Sequence, residues 1–314
     1  MATELSIDAL LPPEMASKAE AVGVRKAEAS FIPLFVLAVL AGAFIALGAI
    51  FATTVLAGGI SVKGADGAAA FTTALPYGVN RLLAGLVFCL GLILVVVGGA
   101  ELFTGNNLIV MAWASGKVST RALMRNWLIV YLGNFVGSIG TALIMLISQQ
   151  YMFGSGAIGT TALTIAKSKV ELGFVQAIAL GIMCNALVCL AVWMSFSARS
   201  TVDKILAIIF PISAFVAAGF EHSIANMYFI PIGLFIKDFA GSNFWELIGR
   251  TPADYTSLTW GKFFVNNLLP VTIGNIIGGA LFVGAVYWAV YLRPVGQGAV
   301  KSQTVPSKKG AGTD

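Results

Sequence analysis

A long apolar segment of this chain is interrupted by Gly219-Phe220-Glu221-His222-Ser223-Ile224-Ala225-Asn226-Met227. His222 is the only histidine among the 314 residues. Titratable side chains at membrane depth are costly and usually mark a transport path or a proton relay. Histidine is also the side chain that changes charge near neutral pH. The segment therefore predicts a membrane protein whose function depends on His222.

The composition agrees with this prediction along the whole chain. It is 58% hydrophobic and 11% charged, whereas a soluble domain carries about 25% charged residues. Several apolar runs exceed the roughly 20 residues that cross a bilayer. We therefore predict an all-α polytopic membrane protein with six transmembrane spans, at 31–57, 82–113, 126–150, 172–197, 205–236 and 263–292.

The distribution of basic residues predicts the orientation of these spans. Twelve of the 19 Lys and Arg residues fall in the termini and loops of one side, which the positive-inside rule places in the cytoplasm. We expect a cytoplasmic N-terminal segment at 1–30, with an amphipathic helix from Pro12, a channel domain at 31–293 and a disordered cytoplasmic tail at 294–314. The net charge of +5 is interpreted as topology and not as affinity for nucleic acid.

Two patterns recur along the chain and indicate an internal repeat. The pattern G-x-E-x-x-x-x-N occurs at 99–106 and 219–226, and N-x-L-x-V-x-x-G-N-x-x-G occurs at 126–137 and 267–278. Each copy holds three spans, so the second copy must enter the membrane upside down. Inverted repeats with interrupted helices place a binding site near the midplane. We therefore expect spans two and five to be broken.

The polar residues of the repeat allow two interpretations each. Glu101 and Glu221 either contact protons and substrate or accept hydrogen bonds from backbone N–H groups freed by the breaks. Asn134 and Asn275 are expected to hydrogen-bond between helices. The Gly-x-x-x-Gly spacing beside each asparagine, at 133–137 and 274–278, favours close helix contact.

Four segments resemble signatures of the formate/nitrite transporter family. They are Gly-Ala-Glu-Leu-Phe-Thr-Gly at 99–105, Asn185 within 181–194, Gly-Phe-Glu-His-Ser-Ile-Ala-Asn-Met at 219–227 and Val-Thr-Ile-Gly-Asn at 271–275. The segment 10–16 and the long loop before span six are similar to the formate-channel branch. The resemblance implies a homopentamer in a bacterial cytoplasmic membrane, with an aquaporin-like pore in each protomer. It also implies that the N-terminal helix gates the pore.

The same resemblance implies roles for individual residues. Thr104 and His222 form a central polar site, with Asn185 and Glu221 beside it. Lys169, in a short outer loop, is similar to a lysine that attracts anions. The hydrophobic constrictions are implied to involve Leu92, Leu102, Phe103, Val188 and Phe215, with Phe88 toward the outer end.

These residue types suit a small weak acid such as formate. A bare anion is costly in an apolar constriction, and no basic residue lies within the predicted spans to offset that cost. A small carboxylic acid has a pKa near ~4, so a donor such as His222 or Thr104 can neutralise it at the narrow point. We expect no catalytic residue, cofactor or metal. A channel for nitrite or hydrosulfide and a proton-coupled symporter remain as alternatives.

Overall fold

A computed structural model describes residues 9–63, 69–73 and 75–293. The predicted tail at 294–314 lies outside the described residues. Five helical segments within the described part of the chain are long and apolar enough to cross a membrane: Phe31–Leu56, Tyr77–Gly98, Thr120–Ile147, Phe174–Ser197 and Pro252–Tyr291. The remaining predicted span consists of two shorter helices, Thr201–Ala217 and Ser223–Phe239. The six predicted spans and the break in span five are therefore confirmed.

The first half of the molecule begins with an amphipathic helix, as predicted. Helix α1 starts with a proline. Proline suits the first helical turn because a backbone N–H at that position would have no carbonyl partner within the helix. The elements of this half are α1 (Pro12–Glu28), α2 (Phe31–Leu56), β1 (Ile60–Lys63), β2 (Ala69–Thr73), α3 (Tyr77–Gly98), α4 (Phe103–Asn106), α5 (Val110–Ala114) and α6 (Thr120–Ile147). A 3₁₀ turn joins α4 to α5. Span two is therefore broken where the repeat predicted, between α3 and α4.

The second half repeats this order in the second copy. Its elements are α7 (Ala157–Val170), α8 (Phe174–Ser197), α9 (Thr201–Ala217), α10 (Ser223–Phe239), α11 (Ser242–Ile248), α12 (Trp260–Lys262), α13 (Leu269–Ile276) and α14 (Val286–Tyr291). Two π-helical stretches, Phe263–Leu268 and Ile277–Ala285, join α12, α13 and α14 into one long helix. Pro270 follows the first stretch, where its missing N–H and its ring disfavour regular α-helical bonding.

Two features were not predicted from the sequence. The antiparallel hairpin β1–β2 lies between spans one and two, so the all-α class carries one small sheet. The region around Lys169 is helix α7 and not the short loop that we expected. Helix α7 precedes span four as α1 precedes span one, so the repeat contains a short amphipathic helix as well as three spans.

Glycines let the first helix of each repeat pack closely against the last. A Cβ atom on Gly137 would collide with the backbone of Val39 in α2, and one on Gly278 would collide with the backbone of Ile182 in α8. The predicted close contact at both Gly-x-x-x-Gly segments is therefore confirmed. The hydroxyl groups of Tyr131 and Thr272, which occupy equivalent positions in the repeats, are 2.8 Å apart. The two repeats thus meet near their symmetry axis.

Candidate functional site

The two helix breaks have the same backbone geometry. Gly99 and Gly219 each follow a helix with φ +76°, a conformation that glycine adopts without a steric penalty. Leu102 and His222 then precede the next helices in extended conformations. The starts of α4 and α10 lie close together, since Thr104 in the first turn of α4 contacts His222, the N-cap of α10. Helix N-termini favour negative charge.

Asparagines from the last helix of each repeat satisfy the interrupted backbone. Asn134 Oδ1 accepts from the Phe103 N–H at 2.9 Å, while its Nδ2 donates to the Ala38 and Glu101 carbonyls. Asn275 makes the equivalent bonds with the Ser223 N–H and the Gly181 and Glu221 carbonyls. The interpretation of these asparagines as helix-to-helix connectors is confirmed.

Glu101 belongs to a polar cluster on the side of the protomer that carries α1, which we name the inner side, and the opposite side is named the outer side. Lys26 Nζ lies 2.8 Å from both carboxylate oxygens of Glu101 and 2.9 Å from Asn106 Oδ1. Asn106 Nδ2 donates to Glu101 and to Asn126. The cluster connects α1 to the break in span two.

Glu221 belongs to the equivalent cluster on the outer side. Lys169 Nζ donates to Glu221 Oε1 at 2.7 Å, and Asn226 Nδ2 donates to Glu221 Oε2 at 2.7 Å and to Asn267 Oδ1 at 2.8 Å. Asn226 Oδ1 is buried and has no hydrogen-bond partner among the described residues, whereas its counterpart Asn106 Oδ1 accepts from Lys26. Neither carboxylate accepts from a backbone N–H of the breaks within the described chain, so that interpretation of the two glutamates is wrong.

Thr104 and His222 meet between these two clusters. Thr104 Oγ1 lies 3.1 Å from His222 Nε2, and both residues are buried. His222 also precedes α10 as its N-cap, and its Nδ1 accepts from the Ala225 N–H at 3.0 Å. The predicted central pair is thus brought together by the two breaks.

The hydrogen bonds of His222 assign its tautomer. Because Nδ1 accepts a hydrogen bond, it carries no proton, so the neutral ring carries its proton on Nε2. Nε2–H then donates to Thr104 Oγ1. No second partner of the Thr104 hydroxyl occurs among the described residues, so its hydrogen is not committed to another acceptor there, although Thr104 is buried and lines neither of the cavities described below.

Asn185 holds the backbone beside this pair. Its Nδ2 atom lies 3.3 Å from the Thr104 carbonyl oxygen, 3.0 Å from Asn107 Oδ1 and 2.7 Å from the Asn275 carbonyl oxygen. All these groups are buried, so the contacts stabilise the start of α4. Asn185 therefore positions Thr104 and lines neither of the cavities described below.

Two cavities approach the pair from opposite sides and share no lining residue. The outer one, about 260 Å³, is lined by residues that include Phe88, Lys169, Phe215, Glu221 and His222. Phe215 stacks on the His222 ring with centroids 5.9 Å apart. Phe215 and Phe88 pack edge to face, with centroids 5.6 Å apart. Phe215 thus packs on the histidine, and Phe88 packs on Phe215.

The inner cavity, about 410 Å³, is lined by Leu92, Leu102 and four basic residues, which are Lys18, Arg25, Lys26 and Lys204. Burial and the neighbouring charges of Lys204 and Arg199 lower the pKa of Lys18. Glu101 also lines this cavity and pairs with Lys26, so four basic residues against one acidic residue leave a net formal charge of +3 in the lining.

Two residues of the implied constrictions line neither cavity. Phe103 packs its ring against Tyr131 and Trp127, with centroids 4.9 Å and 5.9 Å apart. Val188 is buried within α8. Sequence reasoning also missed Lys26, whose counterpart is Lys169. Aligning the two amphipathic helices, α1 and α7, as part of the repeat would have identified Lys26 as the counterpart of Lys169.

Known proteins share both the sequence and the architecture. The family model described as "Formate/nitrite transporter" matches residues 13–289. "Formate channel FocA" of Escherichia coli (strain K12) is 46% identical over 293 residues, which cover 93% of this chain and 98% of that protein. "Probable formate transporter" of Methanothermobacter thermautotrophicus is 36% identical over 297 residues, covering 90% and 97%. The solved structure "Pentameric formate channel with formate bound" has a TM-score of 0.75 and 49% identity, covering 83% of this chain and 97% of its own.

The fold and the site define a multi-pass membrane protein with an aquaporin-like protomer, built from two inverted repeats with broken helices. The chain belongs to the formate/nitrite transporter family.

Proposed function

We propose that this protein carries formate, and related small monovalent weak-acid anions, across the membrane through a path within each protomer. The observation that carries the proposal is the Thr104–His222 pair, buried between an outer and an inner cavity. Channels for formate among its relatives support the choice of substrate.

The path would operate by hydrogen bonding at the pair. An anion in the outer cavity passes Phe88 and Phe215, meets His222 and accepts a hydrogen bond from the Thr104 hydroxyl. The half-helix N-termini at both breaks favour its charge. A weak acid then crosses the apolar ring of Leu92 and Leu102 at least cost in its protonated form, because a bare anion loses its hydration there.

A proton-donor role for His222 adds a requirement. The neutral ring can donate a hydrogen bond from Nε2, but it can give up a proton only after Nδ1 has also been protonated. That step breaks the bond between Nδ1 and the Ala225 N–H and loosens the start of α10. Proton-coupled transport would therefore involve movement of the span-five break, while passive anion flow would not.

The assembly and orientation follow the same reasoning. We propose a homopentamer in a bacterial inner membrane, as the pentameric relative indicates, with both termini in the cytoplasm according to the positive-inside rule. Helix α1 would act as a gate at the inner mouth, since Lys26 connects it to the break at Glu101. Lys169 would favour anions in the outer cavity by neutralising the carboxylate of Glu221.

Purified protein in proteoliposomes tests the proposed substrate. We expect formate flux well above that of empty vesicles, and greater than the flux of nitrite, hydrosulfide, lactate or chloride. Nitrite flux well above formate flux would replace the proposed substrate. Uphill formate accumulation driven by an imposed pH gradient would identify a symporter, and purely downhill flow a channel.

A further inference from the structure

The outer cavity is lined by three side chains with formal charge: Arg81, Lys169 and Glu221. Lys169 and Glu221 form a close ion pair, with Nζ and Oε1 2.7 Å apart and little side-chain exposure, 15% and 5% respectively. At the distance of an approaching solute, such a pair acts as a dipole whose two charges largely cancel. The net positive charge of the cavity therefore comes from Arg81.

Arg81 is held at the break in span five by backbone carbonyls. Its Nε donates to the Ala217 carbonyl at 3.3 Å, and its Nη2 donates to the Val216 carbonyl. These carbonyls end α9, where the negative end of the helix dipole faces the cavity. The guanidinium offsets that negative end and connects α3 to the backbone that leads to His222.

The guanidinium keeps binding capacity for a solute. It carries more N–H donors than the two carbonyl bonds use, and within the described chain no acidic side chain forms an ion pair with it. It is half-buried, so its charge is less screened than that of a fully exposed residue. Planar carboxylates are well matched to a guanidinium, which binds both oxygens at once.

The repeat places a basic residue near the start of the helix that precedes each break. The alignment that matches Gly99 with Gly219 places Thr201 in the position of Arg81. Lys204, one helical turn after Thr201, lines the inner cavity. Arg81 is the corresponding basic residue of the outer cavity.

We propose that Arg81 forms a docking site for small carboxylate anions in the outer cavity and is the main source of its positive potential. This inference rests on the proposed function. A solute bound at Arg81 lies in the same cavity as His222, so docking raises the anion concentration at the central pair.

Formate uptake by proteoliposomes, measured against formate concentration at low and high salt, tests the role of the charge. Arg81→Gln is expected to raise the apparent KM about five-fold at low salt and less at high salt, with a small change in maximal rate. Arg81→Lys keeps the charge but loses the planar guanidinium, and its KM is expected to lie between those of wild type and Arg81→Gln. Lys262→Gln removes a positive charge on the outer side that lies outside the cavity, and should leave KM unchanged.

Two results would overturn the inference. One is an Arg81→Gln protein with the KM and salt dependence of wild type. The other is an Arg81→Lys protein as impaired as Arg81→Gln, which would assign Arg81 to the backbone bonds alone.

Binding to detergent-purified protein separates this inference from the proposed function. Saturation transfer to the formate proton, observed by NMR, requires no transport. Loss of that signal in Arg81→Gln, but not in Lys262→Gln, supports the docking site even if wild type shows no formate flux. Equal signals in wild type and Arg81→Gln would refute it.

Discussion

His222 combines a structural and a functional position in one side chain. Its Nδ1 caps α10 through the Ala225 N–H, and its Nε2 reaches Thr104 on the other repeat. The cap fixes the tautomer and directs the donor at the path. A substitution at this position therefore changes the helix start and the central pair together, unless the new residue can also act as a cap.

Substitution of His222 by asparagine separates the capping of α10 from the donation of a proton. His222→Asn retains a good N-cap residue and an N–H donor, but it cannot carry a proton near neutral pH. We expect it to reduce proton-linked formate uptake at acidic pH more than outward anion flow at neutral pH. The measurement is flux in each direction as a function of pH in proteoliposomes.

A larger side chain serves as the comparison for this prediction. His222→Phe removes both hydrogen bonds and fills the space between the cavities, so we expect it to block flux in both directions. If His222→Asn folds normally and keeps wild-type uptake with wild-type pH dependence, the proton-donor role is wrong. The histidine would then serve only as a cap and a packing residue.

Lys169 offers a second prediction at this scale, because its charge is paired with Glu221. Lys169→Ala leaves a buried carboxylate in the outer cavity and should lower formate uptake, more at low salt than at high salt. The double variant Lys169→Ala/Glu221→Gln removes both charges and should recover part of the rate. Uptake assays at two ionic strengths measure both effects.

The comparison of the single and double variants has a clear negative outcome. If Lys169→Ala loses the same fraction of uptake at every salt concentration, attraction of anions does not explain the loss. If the double variant is no better than the single one, the unpaired carboxylate is not its cause either.

At the level of elements, glycine faces determine how closely the helices approach. Gly137 of α6 meets the Val39 carbonyl of α2, and Gly278 meets the Ile182 carbonyl of α8. These contacts place Asn134 and Asn275 within hydrogen-bond reach of the breaks. Helix separation therefore controls the geometry of the site.

Two glycines on α6 provide a matched test of this packing. Gly137→Ala inserts a methyl group against the Val39 backbone and should cost about 1–3 kcal/mol of stability. Gly140 lies on the same helix with no neighbouring atom within 4 Å, so Gly140→Ala should be neutral or stabilise the helix by up to about 1 kcal/mol. Thermal unfolding in detergent, followed by tryptophan fluorescence, compares the two. Equal melting temperatures would show that the contact at Gly137 does not limit stability.

For the whole molecule, the apolar surface indicates what surrounds the protomer. Helix α6 exposes a stripe of large apolar side chains at intervals of four or eight residues, formed by Leu128, Leu132, Val136 and Ile144. Such a face requires lipid or another protomer against it, and the proposed homopentamer would supply both. The two cavities lie within the single chain, so the proposed path lies within each protomer.

Native mass spectrometry in a mild detergent tests the assembly. We expect a dominant species of five chains, each of 32.8 kDa. A monomer or trimer as the main species would contradict the proposed pentamer while leaving the path within each chain unaffected. Delipidation before the measurement serves as a control for species held together by lipid.

The sequence by itself determined the class of protein, the six spans, the inverted repeat, the two breaks and the position of His222 at the second break. These conclusions depend on the length of apolar runs and on polar residues within them, which are local properties of the chain. The resemblance to the family added Thr104 as the partner of the histidine. The start of α1 at Pro12 was likewise visible from local composition.

Only the tertiary structure decided which polar groups are paired. Lys26 reaches Glu101 across 75 residues, Lys169 reaches Glu221 across 52, and Arg81 reaches the end of α9 across 136. No local pattern encodes such contacts, because they depend on how helices from both repeats are placed beside the breaks. The same placement decided the tautomer of His222, the position of Asn185 behind Thr104, and the pairing of Lys169 with Glu221 in the outer cavity.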